Sequence, residues 1–215
     1  MTRHMETRGV VFDWGGVLQR TVDPAPREAL AAEVGLSRDA LEEAIFGSAV
    51  WDAASRGECP ADAAWEAIAE GIGWPVARLD DLVERFFAGD RVDEALVRLI
   101  EGLRAGGVPV GLLSNAPPGR ARGASSAGRW GMEGLFDAQV FSYEVGVLKP
   151  HRAMYERILG DLGLDAEGVL FIDDVPENVA AARAAGMDGL LFRGTTALYD
   201  ALRQRGLPVP PEETP

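Results

Sequence analysis

Acidic, hydroxyl and ammonium side chains lie at or just beyond the ends of several short apolar runs. Asp13 follows GVVF, Ser114 follows VPVGLL, the pair Asp173–Asp174 follows VLFI, and Lys149 lies in a loop beside a proline. Carboxylate oxygens are ligands for hard divalent cations such as Mg²⁺, and a carboxylate oxygen is also a nucleophile toward phosphorus. A hydroxyl and an ammonium stabilise the negative charge of a transferring phosphoryl group. These residue types therefore suit metal-assisted phosphoryl transfer.

A bound Mg²⁺ would relieve the repulsion between Asp13 and Asp174 if the fold brings them together. With one oxygen of Asp13 on the metal, its other oxygen is free to attack phosphorus. Lys149 would neutralise the nucleophile, and Ser114 would donate a hydrogen bond to a phosphoryl oxygen. Each residue also has a common structural explanation, because an Asp after a strand often forms a turn or caps a helix, and Asp-Asp pairs are often solvated.

The charge balance restricts the classes of partner. The net charge is −13, which argues against a nucleic-acid partner because phosphate backbones are bound by clustered Lys and Arg. An anionic substrate then requires a metal ion or a few placed cations to reverse the local field. Lys149 is the only lysine among the 21 basic residues, and it belongs to the candidate group.

The apolar runs predict a parallel sheet, because they are continuous, as expected for strands covered on both faces. Helical patterns between them predict right-handed crossovers and a doubly wound, Rossmann-like α/β fold. The predicted strands are 9–12, 108–113, 138–142, 169–172 and 189–192, and the predicted helices are 93–105, 151–162, 176–185 and 196–205. Ligands of such sheets bind beyond the carboxyl ends of the strands, so the candidate residues should meet at one edge.

The region 21–89 contains no strand pattern. Helical segments at 26–34, 38–46, 61–69 and 76–87 are separated by Gly and Pro, which are typical of connections. We therefore predict a helical cap domain (21–89) inserted after the first strand of a core domain formed by 1–20 and 90–215. We expect most of its aromatic residues in the core of the helical bundle and a minority in the lining of a pocket: Trp51, Trp65, Trp74, Phe86 and Phe87.

Four ordered motifs resemble those of the haloacid dehalogenase-like (HAD) hydrolase superfamily. VVFDWGGVL (10–18) resembles the first motif, and GLLSN (111–115) resembles the second. EVGVLKP (144–150) is similar to the third, and FIDDVPENVAAARAAGM (171–187) is similar to the fourth. The helical insert is similar to the C1 cap of subfamily IA, and the acidic pair to its phosphatase-type branch. The resemblance covers nearly the whole chain and implies a Mg²⁺-dependent phosphatase of a small phosphorylated metabolite.

The resemblance also implies a role for each matching residue. Asp13 corresponds to the nucleophile, which forms an aspartyl phosphate, and to a metal ligand. The backbone carbonyl of Gly15 and the carboxylate of Asp174 correspond to further metal ligands. Phosphate binding is implied for Ser114, Asn115 and Lys149, and support of the metal or of Lys149 is implied for Asp173 and Asn178.

Gly15 departs from the family pattern, in which phosphatases usually carry a second Asp at this position as general acid and base. A positioned acid–base group contributes roughly 10²–10⁴ in rate, or about 3–5 kcal/mol. The departure therefore predicts slow turnover, a substrate with a good leaving group, or another proton donor. Glu58 and the other acidic residues of the cap are candidates for that donor.

Two other functions stay open. A binding or regulatory domain without catalysis would explain the loss of the general acid, although the nucleophile and its candidate partners are all present. A 2-haloacid dehalogenase would use the same Asp13 on carbon without a metal, but its fourth motif resembles Ser-Ser-Asn, whereas this chain has FIDD. A phosphosugar mutase is disfavoured, because returning the phosphoryl group would need the residue that Gly15 replaces.

The remaining sequence features concern location. No apolar run approaches the ~20 residues that span a bilayer, so we expect no membrane segment. The first apolar stretch carries Asp13, unlike a secretory signal, and the single cysteine, Cys59, cannot form an internal disulfide. We therefore expect a cytoplasmic protein. The proline-rich end, 208–215, is expected to be frayed.

Overall fold

A computed structural model describes residues 7–120 and 131–211. The strands of this part of the chain are β1 (Gly9–Phe12), β2 (Gln19–Thr21), β3 (Asp90–Val92), β4 (Val110–Ser114), β5 (Ala138–Phe141), β6 (Val169–Asp173) and β7 (Asp188–Leu191). The α-helices are α1 (Ala25–Glu33), α2 (Arg38–Phe46), α3 (Ala49–Ser55), α4 (Ala61–Gly71), α5 (Leu79–Phe87), α6 (Glu94–Ala105), α7 (Ser142–Val145), α8 (Arg152–Leu162), α9 (Pro176–Ala184) and α10 (Thr195–Gln204). Within these residues, no helix has the length and the low charge needed to cross a membrane.

Five strands form a parallel sheet in the order β5-β4-β1-β6-β7. The central strand β1 pairs with β4 and β6, and Phe12 lies opposite Leu112 on one side and Ile172 on the other. The carboxyl ends of these neighbouring strands therefore lie side by side, at the edge where Asp13 follows β1. The predicted doubly wound α/β fold is confirmed.

Helices cover both faces of the sheet, which explains why the strands are apolar without alternation. Val10 and Phe12 pack in one cluster with residues of α6 and α10. Val11 points to the opposite face and packs in a second cluster with residues of α8 and α9. All four residues of β1 are buried as a result.

The helices α1 to α5, called here the helical lobe (residues 25–87), have a buried cluster of their own, which includes Leu30, Ile45, Leu82 and Phe86. The sequence predicted four helical segments in this region, and the structure adds α3. This helix begins after Ser48, whose hydroxyl accepts a hydrogen bond from the backbone N–H three residues later. The short strands β2 and β3 flank the lobe as an antiparallel pair, which was not predicted because three-residue strands carry no periodic signal.

A buried ion pair joins the helical lobe to the β2–β3 pair. The guanidinium of Arg27 donates to both carboxylate oxygens of Asp90, at 2.8 and 2.9 Å, and to Glu42 at 3.0 Å. Asp90 also accepts hydrogen bonds from Gln19 at 2.7 Å and Thr21 at 2.8 Å. The lobe is therefore linked to the β2–β3 pair by a buried pair of opposite charges.

The prediction that the end of the chain is frayed is wrong for its first residues. Leu207 is buried in the core cluster of α6 and α10, and Val209 packs against it. Pro208 and Pro210 lie so close to Gly106 and Gly102 that a Cβ there would meet their rings at 2.3 and 2.8 Å. Because Gly102 and Gly106 have no side chains, the proline rings can pack directly against their backbone. Residues 212–215 lie outside the described part.

Candidate active site

The ammonium of Lys149 lies at the centre of the candidate residues. Its Nζ donates to Asp13 Oδ1 at 2.6 Å, to Asp173 Oδ2 at 2.8 Å and to the Leu113 carbonyl at 2.9 Å. An ammonium has three N–H donors, so each is used. The side chain of Lys149 is 1% exposed, and a charge so far from water requires such pairing.

Asn115 fixes the backbone of Lys149. Its side-chain oxygen accepts from the Lys149 N–H at 2.8 Å, and its Nδ2 donates to the Lys149 carbonyl at 3.1 Å. The sequence assigned Asn115 to phosphate binding, whereas its amide is engaged at both ends with the lysine. Ser114, the last residue of β4, is buried beside it.

Asp173 is fully buried and its carboxylate is bonded on all sides. Besides Lys149, it accepts from the Val175 N–H at 2.8 Å and from Asn178 Nδ2 at 3.1 and 3.2 Å. The carbonyl of Asn178 in turn accepts from the hydroxyl of Tyr155 at 2.9 Å. Sequence reasoning assigned a supporting role to Asn178 but missed Tyr155, which carried no signal beyond its place in a helical pattern.

Asp13, Asp173 and Asp174 each offer a carboxylate oxygen within 4.8 Å of the others. Asp174 is the exposed member of the group and lies against Gly16. A Cβ on Gly16 would fall 2.1 Å from Asp174 Oδ2, and the φ of Gly16 is 82°. Glycine at this position therefore lets the backbone after β1 approach the third carboxylate.

The electrostatics of the group favour a divalent cation. Burial raises the pKa of Asp13 to about 7, and the nearby Asp173 adds to this while Lys149 opposes it. Burial and Asp173 also raise the pKa of Asp174. Burial alone would lower the pKa of Lys149, but the charges of Asp13 and Asp173 raise it, so the ammonium keeps its proton. Three carboxylates facing one ammonium leave an excess of negative charge, and the oxygens of Asp13 and Asp174 are ligands that suit Mg²⁺.

Gly15 lies at the position where the resemblance implies a general acid, and the space around it is unfilled. Gly15 is exposed, and a Cβ built on it meets no atom within 4 Å. Glu58, a candidate substitute, pairs with Arg56 at 2.7 Å, and this hydrogen bond lowers its pKa. His151 begins α8 as its N-cap, with its ring accepting from the Ala153 N–H at 3.2 Å. The structure does not bring Glu58 or His151 into the cavity that contains Asp13.

A cavity of ≈ 1100 Å³ connects this edge of the sheet with the helical lobe. The candidate residues that line it are Asp13, Gly15, Ser114, Asn115, Lys149, Asp174 and Asn178. Asp173 is not part of the cavity lining, but its carboxylate accepts a hydrogen bond from Lys149 Nζ. The structure therefore brings together, at one end of a single cavity, the residues that the sequence selected.

Comparison with known proteins agrees with this arrangement. The family model for haloacid dehalogenase-like hydrolases matches residues 7–186. A sesquiterpene phosphatase of Aspergillus oryzae is 28% identical over 198 residues, which cover 92% of this chain and 95% of that protein. A phosphoglycolate phosphatase of Yersinia pestis is 31% identical over 203 residues, which cover 86% of this chain and 81% of that protein.

Solved structures share the fold. A HAD-like family hydrolase from Porphyromonas gingivalis has a TM-score of 0.69 at 23% identity, covering 92% of this chain and 98% of that one. A HAD family enzyme from Bacteroides thetaiotaomicron, in complex with magnesium and inorganic phosphate, has a TM-score of 0.67 at 19% identity, covering 86% and 94%. The match over most of the chain, together with the buried Asp13–Lys149 pair, means that this protein is a hydrolase that belongs to the haloacid dehalogenase-like family.

Proposed function

We propose that the protein is a Mg²⁺-dependent phosphatase that forms an aspartyl phosphate on Asp13. The observation that carries this proposal is the buried Lys149, whose Nζ lies 2.6 Å from Asp13 Oδ1, while a carboxylate oxygen of Asp174 lies within 4.8 Å of one of Asp13. Asp13 and Asp174, with the carbonyl of Gly15, would hold the cation. When bound, Mg²⁺ neutralises the carboxylates and draws charge from a phosphoryl oxygen.

The chain's own residues supply the remaining steps. A carboxylate oxygen of Asp13 attacks phosphorus as the bond from phosphorus to the leaving oxygen breaks, and water then hydrolyses the aspartyl phosphate. Lys149 orients Asp13 and opposes the charge of the phosphoryl group, and Ser114 donates a hydrogen bond to one of its oxygens. Asn115 and Asp173 position Lys149, and Asn178 positions Asp173.

Gly15 provides no proton for the leaving group, so the departing oxygen would take its proton from water. Rates should therefore depend strongly on how well the leaving group carries negative charge. We further propose that the helical lobe is the cap domain (21–89) over a core formed by 1–20 and 90–215, and that the enzyme works in the cytoplasm, which fits its free Cys59.

The substrates named for the relatives differ in size and polarity. Phosphoglycolate is a compact dianionic ester with a carboxylate, whereas a sesquiterpene phosphate carries a large apolar group. Both classes are small phosphorylated molecules and both are compatible with the phosphoryl site. The choice between them depends on the rest of the cavity.

The proposal is tested by hydrolysis of acetyl phosphate, p-nitrophenyl phosphate and simple alkyl phosphates, with and without Mg²⁺. The matched blank is Asp13→Asn, which removes the nucleophile with almost no change in volume. We expect phosphate release that needs both Mg²⁺ and Asp13, and that is fastest with the activated esters. If the folded wild-type protein releases no phosphate from any of these compounds, the non-catalytic function becomes the better account.

A further inference from the structure

The cavity that contains Asp13 has a second wall of a different kind. The lining contributed by the helical lobe contains four aromatic residues, Phe46, Trp51, Trp65 and Phe87, together with acidic residues such as Asp52, Asp62 and Asp80. At ≈ 1100 Å³ the cavity is large even for a site that binds a drug-sized molecule, for which volumes of about 300–1,000 Å³ are usual. A phosphoryl group with a two-carbon substituent would fill a small part of it.

The four rings form a connected surface, called here the aromatic wall. The ring centroids of Phe46 and Trp51 are 5.5 Å apart, those of Trp51 and Trp65 are 5.5 Å apart, and those of Trp65 and Phe87 are 6.1 Å apart. Each pair meets edge to face. Such contacts fix the rings relative to one another. Phe46 is 41% exposed, Trp51 and Phe87 are partly buried, and Trp65 is 3% exposed. Because these residues line the cavity, the first three offer most of the apolar surface of the wall.

The charged groups of the cavity do not offer a partner for a second anionic group. The cationic side chains that line its described part each pair with an acidic residue: Arg20 with Asp93, Arg27 with Asp90, Arg120 with Asp62 and Asp80, and Lys149 with Asp13. Asp52, on the lobe side, adds further negative charge to the lining. A carboxylate on the leaving group would therefore meet acidic neighbours and cations that are already paired.

We propose that the preferred substrate is the phosphate ester of a large, uncharged, apolar alcohol whose hydrocarbon group lies against the aromatic wall. This inference rests on the proposed phosphatase function and specifies its substrate class. The bond between phosphorus and the alcohol oxygen breaks as the bond from Asp13 forms. The alcohol oxygen takes a proton from one water and leaves hydroxide. A second water hydrolyses the aspartyl phosphate, its released proton neutralises that hydroxide, and the products are the alcohol and inorganic phosphate.

The first test is a series of straight-chain alkyl phosphates from ethyl to decyl, with Mg²⁺ present. These esters share the same leaving-group chemistry and differ only in apolar length. Burying one methylene in the transition-state complex should raise kcat/KM by roughly fourfold, until the chain has covered the wall. We expect a steep rise with length, and no gain for a two-carbon ester that carries a carboxylate. Equal kcat/KM for ethyl and decyl phosphate would overturn the proposal.

Variants then locate the effect. Phe46→Ala should lower kcat/KM for decyl phosphate by roughly tenfold and lower kcat/KM for ethyl phosphate much less, because a two-carbon group covers little of the aromatic wall. Trp51→Ala should act in the same direction, and it provides a second result if one variant folds poorly. Val76→Ala is the matched control, since Val76 is an exposed apolar residue of the lobe outside the cavity lining. If Phe46→Ala lowers kcat/KM equally for both esters, the Phe46 ring does not contact the hydrocarbon chain of the substrate.

A binding measurement separates this proposal from the phosphatase function. Decylphosphonate and ethylphosphonate cannot be hydrolysed, and Trp51 and Trp65 provide a fluorescence signal inside the cavity. Tighter binding of decylphosphonate, weakened by Phe46→Ala, supports the apolar site even if no ester is hydrolysed. Equal binding of the two phosphonates, in a protein that hydrolyses acetyl phosphate, rejects the apolar site and keeps the phosphatase.

Discussion

At the scale of single residues, two adjacent glycines after β1 differ in what they allow. Gly16 has a left-handed φ of 82°, and a Cβ there would collide with Asp174. Gly15 is exposed and has open space around the position of a Cβ. The two positions therefore form a matched pair, in which the same substitution should affect the metal site in one case and not in the other.

Gly16→Ala should weaken Mg²⁺ binding by at least tenfold, because the Asp174 carboxylate must move away from the other ligands. Alanine in the left-handed region also costs about 1–2 kcal/mol of stability. Gly15→Ala should bind Mg²⁺ like the wild type. Calorimetric titration of both metal-free proteins measures the difference, and equal affinities would place Asp174 outside the metal site.

Gly15→Asp should increase hydrolysis of esters with poor leaving groups, because a carboxyl group there can supply the missing proton. A gain of roughly tenfold or more is expected for decyl phosphate or phenyl phosphate, and little for acetyl phosphate. Gly15→Asn is the control of equal size without an acid. A folded Gly15→Asp protein whose rates equal those of Gly15→Asn would mean that another group already protonates the leaving oxygen.

At the scale of elements, the helical lobe depends on the buried pair of Arg27 and Asp90. Arg27 lies in α1, Asp90 begins β3, and both are nearly inaccessible to solvent. Removing one partner of a buried ion pair leaves an uncompensated charge away from water. Removing one partner of this pair should therefore destabilise the protein far more than removing one partner of an exposed ion pair of the same helices.

Arg27→Met should lower the free energy of unfolding by about 3 kcal/mol or more, because it leaves Asp90 without its guanidinium. Arg38→Met is the matched control: Arg38 is 41% exposed and pairs with Asp39, so its loss should cost less than about 1 kcal/mol. Urea unfolding followed by far-UV circular dichroism measures both. Similar losses in the two variants would mean that the Arg27–Asp90 pair is hydrated in solution.

At the scale of the whole molecule, folding places three carboxylates and one ammonium at the edge of the sheet. The raised pKa of Asp13 means that the metal-free native state holds a proton that the unfolded chain has already lost at neutral pH. This group therefore destabilises the metal-free protein as the pH rises from about 3.8 through about 7. A bound cation removes that cost, so metal binding and stability are coupled at neutral pH.

Mg²⁺ should accordingly raise the melting temperature more at pH 8 than at pH 6, because the cation competes with the proton on Asp13 below about pH 7. Thermal unfolding at both pH values, with Mg²⁺ or with chelator, measures the effect. Asp13→Asn provides the control, since it has no proton to lose and should lose this pH dependence. If Mg²⁺ raises the melting temperature equally at pH 6 and pH 8, Asp13 is already ionised at pH 6.

Sequence patterns predicted the fold class and the group of candidate residues that meets at one edge of the sheet. Continuous apolar runs require burial on both faces, which fixes a parallel sheet with helices on each side. Because parallel strands end at a common edge, Asp13, Ser114 and Asp173 could be placed together before any contact was known. The motif positions around Lys149 and Asn178 completed the same group.

The hydrogen-bond partners of these residues could be read only from the folded structure. Asn115 binds the backbone of Lys149, and Tyr155 supports Asn178, because loops and helices distant in sequence meet there. The sequence predicted that, of five aromatic residues of the lobe, most lie in its core and a minority line a pocket. All five belong to or pack against the core cluster of the lobe, and Trp51, Trp65 and Phe87 also line the cavity. Periodicity identifies which side chains avoid water. It does not identify whether a neighbouring helix or a ligand covers them, since that depends on how the lobe is oriented over the sheet.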